Sequence, residues 1–141
     1  MTNAYASKFD RYVCLGDTIE AQVDGYTFTA TIEHDHDAHI DDDDIHNIDQ
    51  TVTGCDDEQQ ERLLAARKAW QNNEWFFCRI VIGVSRNGIP LDDCAASLWG
   101  IEANHPESDN AYLTEVANDL IDDARHGAET ARARVLSALT V

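Results

Sequence analysis

The chain has 141 residues, the size of one domain and too short for two well-formed ones. Its residues are 43% apolar, enough to build a core, yet 27 Asp and Glu face only 10 Lys and Arg, a net charge of −17. That field excludes direct binding to nucleic acid or to an anionic membrane. No apolar run reaches the roughly 18 residues that span a bilayer.

The N-terminal residues Met1 to Arg11 carry no apolar signal core, so a cytoplasmic protein with reduced thiols is expected. Cys14, Cys55, Cys78 and Cys94 stand singly; the absence of any CxxC pair argues against a zinc ribbon or a thioredoxin-like centre. Cys78 lies in an apolar run and reads as a small buried hydrophobe.

A short strand over Tyr12 to Leu15 is expected first. Two alternating segments follow. Ile19, Ala21 and Val23 share one face of the first; Tyr26, Phe28, Ala30 and Ile32 share one face of the second. Asp24-Gly25 between them suits a type I′ turn, because both central residues of that turn need positive φ.

From Glu33 to Asp49 the character changes: eight acids and four histidines occur with no Lys or Arg. The start of this stretch reads as the solvent end of the strand and the rest as a loop. A helix is expected from Asp56 or Asp57 to about Gln71, with Asp56, Asp57, Glu58 and Glu61 near its positive dipole end. Leu63, Ala66, Arg67 and Trp70 fall near one face, with Leu64 at its edge.

Glu74 to Arg86 is almost wholly apolar and reads as a central strand buried on both faces. Asn87-Gly88 marks a second hairpin. Pro90 confines the return strand to an edge or a bulge, and Ser97 to Ala103 reads as a further strand. Asp109 to Arg125 then has strong helical periodicity in Leu113, Val116, Ala117, Leu120, Ile121 and Ala124. Ser108 or Asp109 is placed to cap it and Gly127 to end or bend it. A last amphipathic segment, Ala131 to Leu139, carries Val135, Leu136 and Leu139 and must dock on the sheet or on a second copy, giving a possible homodimer.

These elements make an α+β fold: an antiparallel sheet of about four to five strands, from two hairpins, with two to three helices packed on one face. Residues 1–126 form a single acidic α+β domain and 127–141 a C-terminal amphipathic helix or tail.

Candidate chemistry is sparse. His34, His36, His39 and His46 among aspartates invite a metal-binding reading. The spacing fails an EF-hand: counted from Asp35, position six is Ile40 and position twelve is His46. HExxH, GxSxG, P-loop and GxGxxG patterns are absent. A non-enzymatic protein with no cofactor and no tightly bound metal is expected, with a metal-binding module on segment 33–49 as the alternative.

The acidic pattern is the more informative signal. If the second strand continues past Ile32, Glu33, Asp35 and Asp37 point to one side, about 6.6 Å apart. That is comparable to the spacing of phosphates on a DNA strand. Asp41, Asp42, Asp43 and Asp44 extend the array. Glu115, Asp119, Asp122 and Asp123 form a second array at helical spacing. Such surfaces fit a basic nucleic-acid-binding protein better than nucleic acid itself. Two plainer readings compete: incidental charge that serves only solubility in a structural or regulatory protein, and adaptation to salt. The latter draws on two lysines against eight arginines and 18 Asp against 9 Glu.

The run Ser85-Arg-Asn-Gly-Ile-Pro-Leu-Asp-Asp-Cys-Ala-Ala-Ser-Leu-Trp-Gly-Ile-Glu102, with Ser108-Asp-Asn-Ala-Tyr-Leu-Thr-Glu-Val-Ala-Asn-Asp-Leu120, resembles small acidic proteins of phages and mobile elements. The likeness covers most of residues 8 to 124 and carries over no functional residue. It implies a setting, the cytoplasm of a phage host. Small acidic phage proteins are often inhibitors of host-defence nucleases, anti-CRISPR proteins among them, and some act as DNA mimics.

Overall fold

The structure, a computed structural model, describes residues 4–38 and 57–140. Two hairpins build its sheet. Strands β1 (Thr18–Val23) and β2 (Tyr26–His34) pair in antiparallel register from Val23 opposite Tyr26 to Thr18 opposite Thr31. Strands β3 (Phe76–Arg86) and β4 (Ile89–Ala103) form the second hairpin. β2 also pairs antiparallel with β3, giving one four-stranded sheet in the order β1-β2-β3-β4. Asp24 and Gly25 have φ of 53° and 85°, Asn87 and Gly88 have 52° and 79°. Both turns therefore have the left-handed pairs that a type I′ hairpin demands.

Among the described residues three helices accompany the sheet: α1 (Asp57–Gln71), α2 (Ala111–Asp119) and α3 (Ile121–Leu139). The apolar parity of each strand faces α2 and α3. Ile19, Ala21, Phe28, Ala30, Ile32, Cys78, Ile80, Ile82 and Val84 meet Leu113, Ala117, Ile121, Ala124 and Ala128 in one core. Burial of these side chains supplies the main stabilisation, at about 25 cal/mol per Å² removed from water.

Several sequence expectations change. Tyr12 to Leu15 is not a strand. Instead Val13 N–H donates to Asn104 Oδ1 at 2.8 Å, and Asn104 Nδ2 donates to Val13 O at 2.8 Å. An asparagine side chain thus satisfies the backbone groups that a neighbouring strand would have satisfied. Asn110, fully buried, donates to Arg11 O at 3.0 Å and to Asn104 Oδ1 at 2.8 Å, and accepts from Asn104 N–H at 2.9 Å. The amide pair ties the N-terminal segment to the entrance of α2. Farther back, Ala6 N–H bonds Glu20 O, and Tyr5 makes an isolated antiparallel bridge to Ala21.

The return strand and the expected strand from Ser97 to Ala103 are one element, β4, which stays paired to β3 through register shifts at Cys78/Ile80, Ile82/Val84 and Val84/Ser85. Pro90 sits at its start, on the sheet edge, where the missing N–H costs no ladder bond. β3 buries Cys78, Ile80, Ile82 and Val84 on its helix-facing side and Val81 on the other, where Phe77, Arg79 and Gly83 are half-buried beside Thr27, Thr29 and Thr31 of β2. α1 matches its expected span, but Leu63 and Leu64 are exposed and only Ala69 is buried. Its anchor is polar: the Trp75 indole N–H donates to Ala66 O at 2.7 Å.

The strongly periodic helix divides at Leu120, not at Gly127. Leu120 remains right-handed, at φ −79° and ψ −9°, and its carbonyl accepts from Ala124 N–H, so α3 follows α2 directly. The cap of α2 is Asn110, in a left-handed conformation with φ 66°, while Asp109 accepts the Ala111 N–H at 2.9 Å. Gly127 lies mid-helix. A Cβ there would stand 3.1 Å from Ala95 O and 3.2 Å from Ala95 Cβ, so glycine lets α3 approach β4. The 126/127 boundary drawn from the sequence therefore falls inside one continuous helix.

Candidate functional site

The acidic residues separate into two groups with different roles. In the first, β2 ends at His34 and the chain turns inward. Glu33 is ion-paired with Arg79 at 2.6 Å, opposite it on β3. Asp35 is buried: one carboxylate oxygen accepts Gly100 N–H at 2.8 Å, the other accepts Asp37 N–H at 3.0 Å and Ala38 N–H at 3.2 Å. Burial alone would raise the Asp35 carboxyl; these three backbone donors, with nearby His34, hold it below its ordinary value. Asp37 is exposed. Glu33, Asp35 and Asp37 thus do not form one solvent-facing file, because the middle carboxylate locks the end of β2 against β4. Asp41, Asp42, Asp43 and Asp44, with His39 and His46, lie outside the described residues.

The second group stays together. Glu115 and Asp119 on α2, then Asp122 and Asp123 on the first turn of α3, are all exposed. Leu113, Ala117, Ile121 and Ala124 anchor the opposite side in the core. Glu115 and Asp119, one turn apart on α2, stand about 5–6 Å apart at Cβ. Among the described residues none of these four carboxylates is ion-paired. Three arginines pair with other acids: Arg62 with Glu58 and Glu107, Arg79 with Glu33, Arg125 with Asp24. Asp122 and Asp123 occupy the first turn of α3.

An open cleft of about 620 Å³ adjoins this surface, between the N-terminal segment and α2. Asp109, Glu115 and Asp119 line it with Thr114, Asn118, Phe9 and Lys8. Its walls are fixed by long-range bonds: Phe9 N–H to Thr114 Oγ1 at 3.0 Å, Ala4 N–H to Asn118 Oδ1 at 3.0 Å, and Tyr5 O–H to Ala117 O at 3.0 Å. Asp109 was legible only as a helix cap; its part in this cleft depends on how the N-terminus crosses α2.

On the open side of the sheet the Arg79 guanidinium lies 4.3 Å from the centre of the Trp99 ring, itself about half exposed, while pairing with Glu33. Cys78 is fully buried, and desolvation, with Asp35 nearby, pushes its thiol up to about 12. A thiol held so firmly protonated is no nucleophile. Among the described residues no group of three or more metal-binding side chains converges, and no helix is long and apolar enough to cross a membrane. No family model, curated protein or solved structure matches the chain.

Proposed function

We propose that this protein is a non-enzymatic inhibitor that occupies the nucleic-acid-binding surface of a basic host protein. The observation that carries the reading is the array Glu115, Asp119, Asp122 and Asp123: exposed, unpaired among the described residues, and mounted on two helices anchored in the core. Rigid carriage matters, because side chains already held on a scaffold lose less freedom when they bind. The surrounding charge of −17 steers a basic partner at long range as a nucleic-acid strand would. Asp109 and the cleft beside it supply a recess in which a Lys or Arg of the partner finds several carboxylates. The partner class that suits the resemblance to phage proteins is a bacterial defence complex, CRISPR or restriction, with this chain acting as a DNA mimic.

The test is capture from bacterial lysate at low salt, followed by challenge of the complex with duplex DNA and separately with molar salt. A nucleic-acid-binding protein released by both supports the proposal. The triple variant Asp119→Asn, Asp122→Asn, Asp123→Asn should fold as the wild type and lose at least about tenfold in affinity for that partner, through a slower on-rate. A partner that remains bound in excess DNA, or that binds the variant equally well, overturns the reading.

A further inference from the structure

His34 and His36 were singled out by the sequence, and the acidic-surface reading leaves them unused. They are alternate residues at the end of β2 and both are exposed. Their Nδ1 atoms are 3.0 Å apart, and the rings lie 4.4 Å from centre to centre at 48°. The pair is held from beneath. Between them Asp35 is buried and bonded to three backbone N–H groups, one of them Gly100 on β4, so the corner cannot open without breaking those bonds. The His34 ring is stacked on Phe76 at 6.3 Å and 19°.

Two imidazole nitrogens at this separation cannot both carry a proton. One must offer its lone pair to the other, or both must offer lone pairs to a third centre. With metal–nitrogen bonds of about 2.0–2.1 Å, two nitrogens at a right angle on one ion stand about 2.9 Å apart, and at a tetrahedral angle about 3.3–3.4 Å. The observed 3.0 Å falls between these.

We propose that His34 and His36 chelate a divalent transition-metal ion of the Ni²⁺, Cu²⁺ and Zn²⁺ class through their Nδ1 atoms. Both rings then carry their single proton on Nε2. With two imidazoles as the anchor the ion is exchangeable, and the remaining positions are open to further ligands. Alongside lies a recess of about 460 Å³ lined by both histidines, Trp70, Trp75, Phe76 and Phe77, which leaves space for a small ligand beside the metal. This site is independent of the α2–α3 carboxylates.

The test titrates the full chain with NiCl₂, CuCl₂ and ZnCl₂ separately. Heat of binding gives the affinity, and ¹⁵N spectra of the imidazoles report which ring nitrogen is metallated. Wild type should bind one equivalent through Nδ1 of both residues, with Cu²⁺ tightest as the general order of divalent affinities requires. His34→Asn and His36→Asn should each weaken binding at least tenfold while retaining the wild-type melting temperature, since both side chains are exposed. The double variant His39→Asn, His46→Asn should keep the affinity within a few-fold. Equal affinity in wild type and His36→Asn overturns the proposal, as does binding abolished by the His39/His46 variant.

Discussion

Asp35 shows how far a residue's role can depart from the chain around it. It stands between the ion-paired Glu33 and the exposed Asp37, yet its carboxylate is a structural acceptor that joins the end of β2 to β4 and turns the chain toward residue 38. Because its folded-state pKa lies below that of an unfolded chain, its contribution is complete above about pH 4, the ordinary carboxylate value, and is lost as pH falls through the folded value. Asp35→Asn should lower the melting temperature by several degrees at neutral pH, and the gap to wild type should close under acid. Melts of both proteins from neutrality to below pH 3 check this; a constant gap refutes it. Nothing in the sequence marks Asp35 off from Asp37. The distinction arises only when Gly100, 65 residues away, presents its N–H.

Local signals were legible wherever the chemistry was local. Asp24-Gly25 and Asn87-Gly88 specify their hairpins because few other dipeptides accept two consecutive positive φ values. The boundaries of α1 follow from its acidic first turn and its basic last turn. The α2–α3 acids were legible as a surface because helical period alone sets their side. Gly127 is the opposite case: in sequence it reads as a helix end or bend, the helix does not end there, and its reason for being glycine is Ala95 of β4, whose carbonyl oxygen is 3.1 Å from where a Cβ would be. Gly127→Leu should therefore destabilise the fold by about 2 kcal/mol through overpacking, despite leucine's better helix propensity. Urea titration measures this, and a stabilised variant would show that α3 has room to move. Beyond Ala131, the α3 side chains Val135, Leu136 and Leu139 are exposed. Removing residues 135–141 should thus leave the monomer's stability nearly unchanged. If the truncation also lowers the mass in solution, those side chains are what holds a homodimer together.

For the whole molecule, the question is whether its charge serves binding or tolerance of salt, and the two make opposite demands. A net −17 on a folded chain repels itself, and this repulsion weakens as the Debye length falls from about 10 Å at 0.1 M to about 3 Å at 1 M. The fold rests on a shared apolar core of sheet and helices and on neutral amide bonds such as Asn104–Asn110, neither of which needs salt. The protein should therefore be fully folded at 20 mM salt, and its melting temperature should rise modestly and level off well below 1 M. Its complex with a basic partner should weaken over the same range, because screening removes the attraction between opposite charges as it removes the repulsion between like ones. Salt thus acts with one sign on the fold and with the other on the complex. A protein adapted to a saline cytoplasm would instead unfold at 20 mM and recover only in molar salt, with any complex tolerating those conditions. Thermal melts and binding curves at 20 mM, 0.2 M and 1 M salt separate the two. The triple variant at Asp119, Asp122 and Asp123 adds the local control: it should flatten the salt dependence of binding far more than that of folding, since three of the 27 acids contribute little to the overall repulsion but most of the array on α2 and α3.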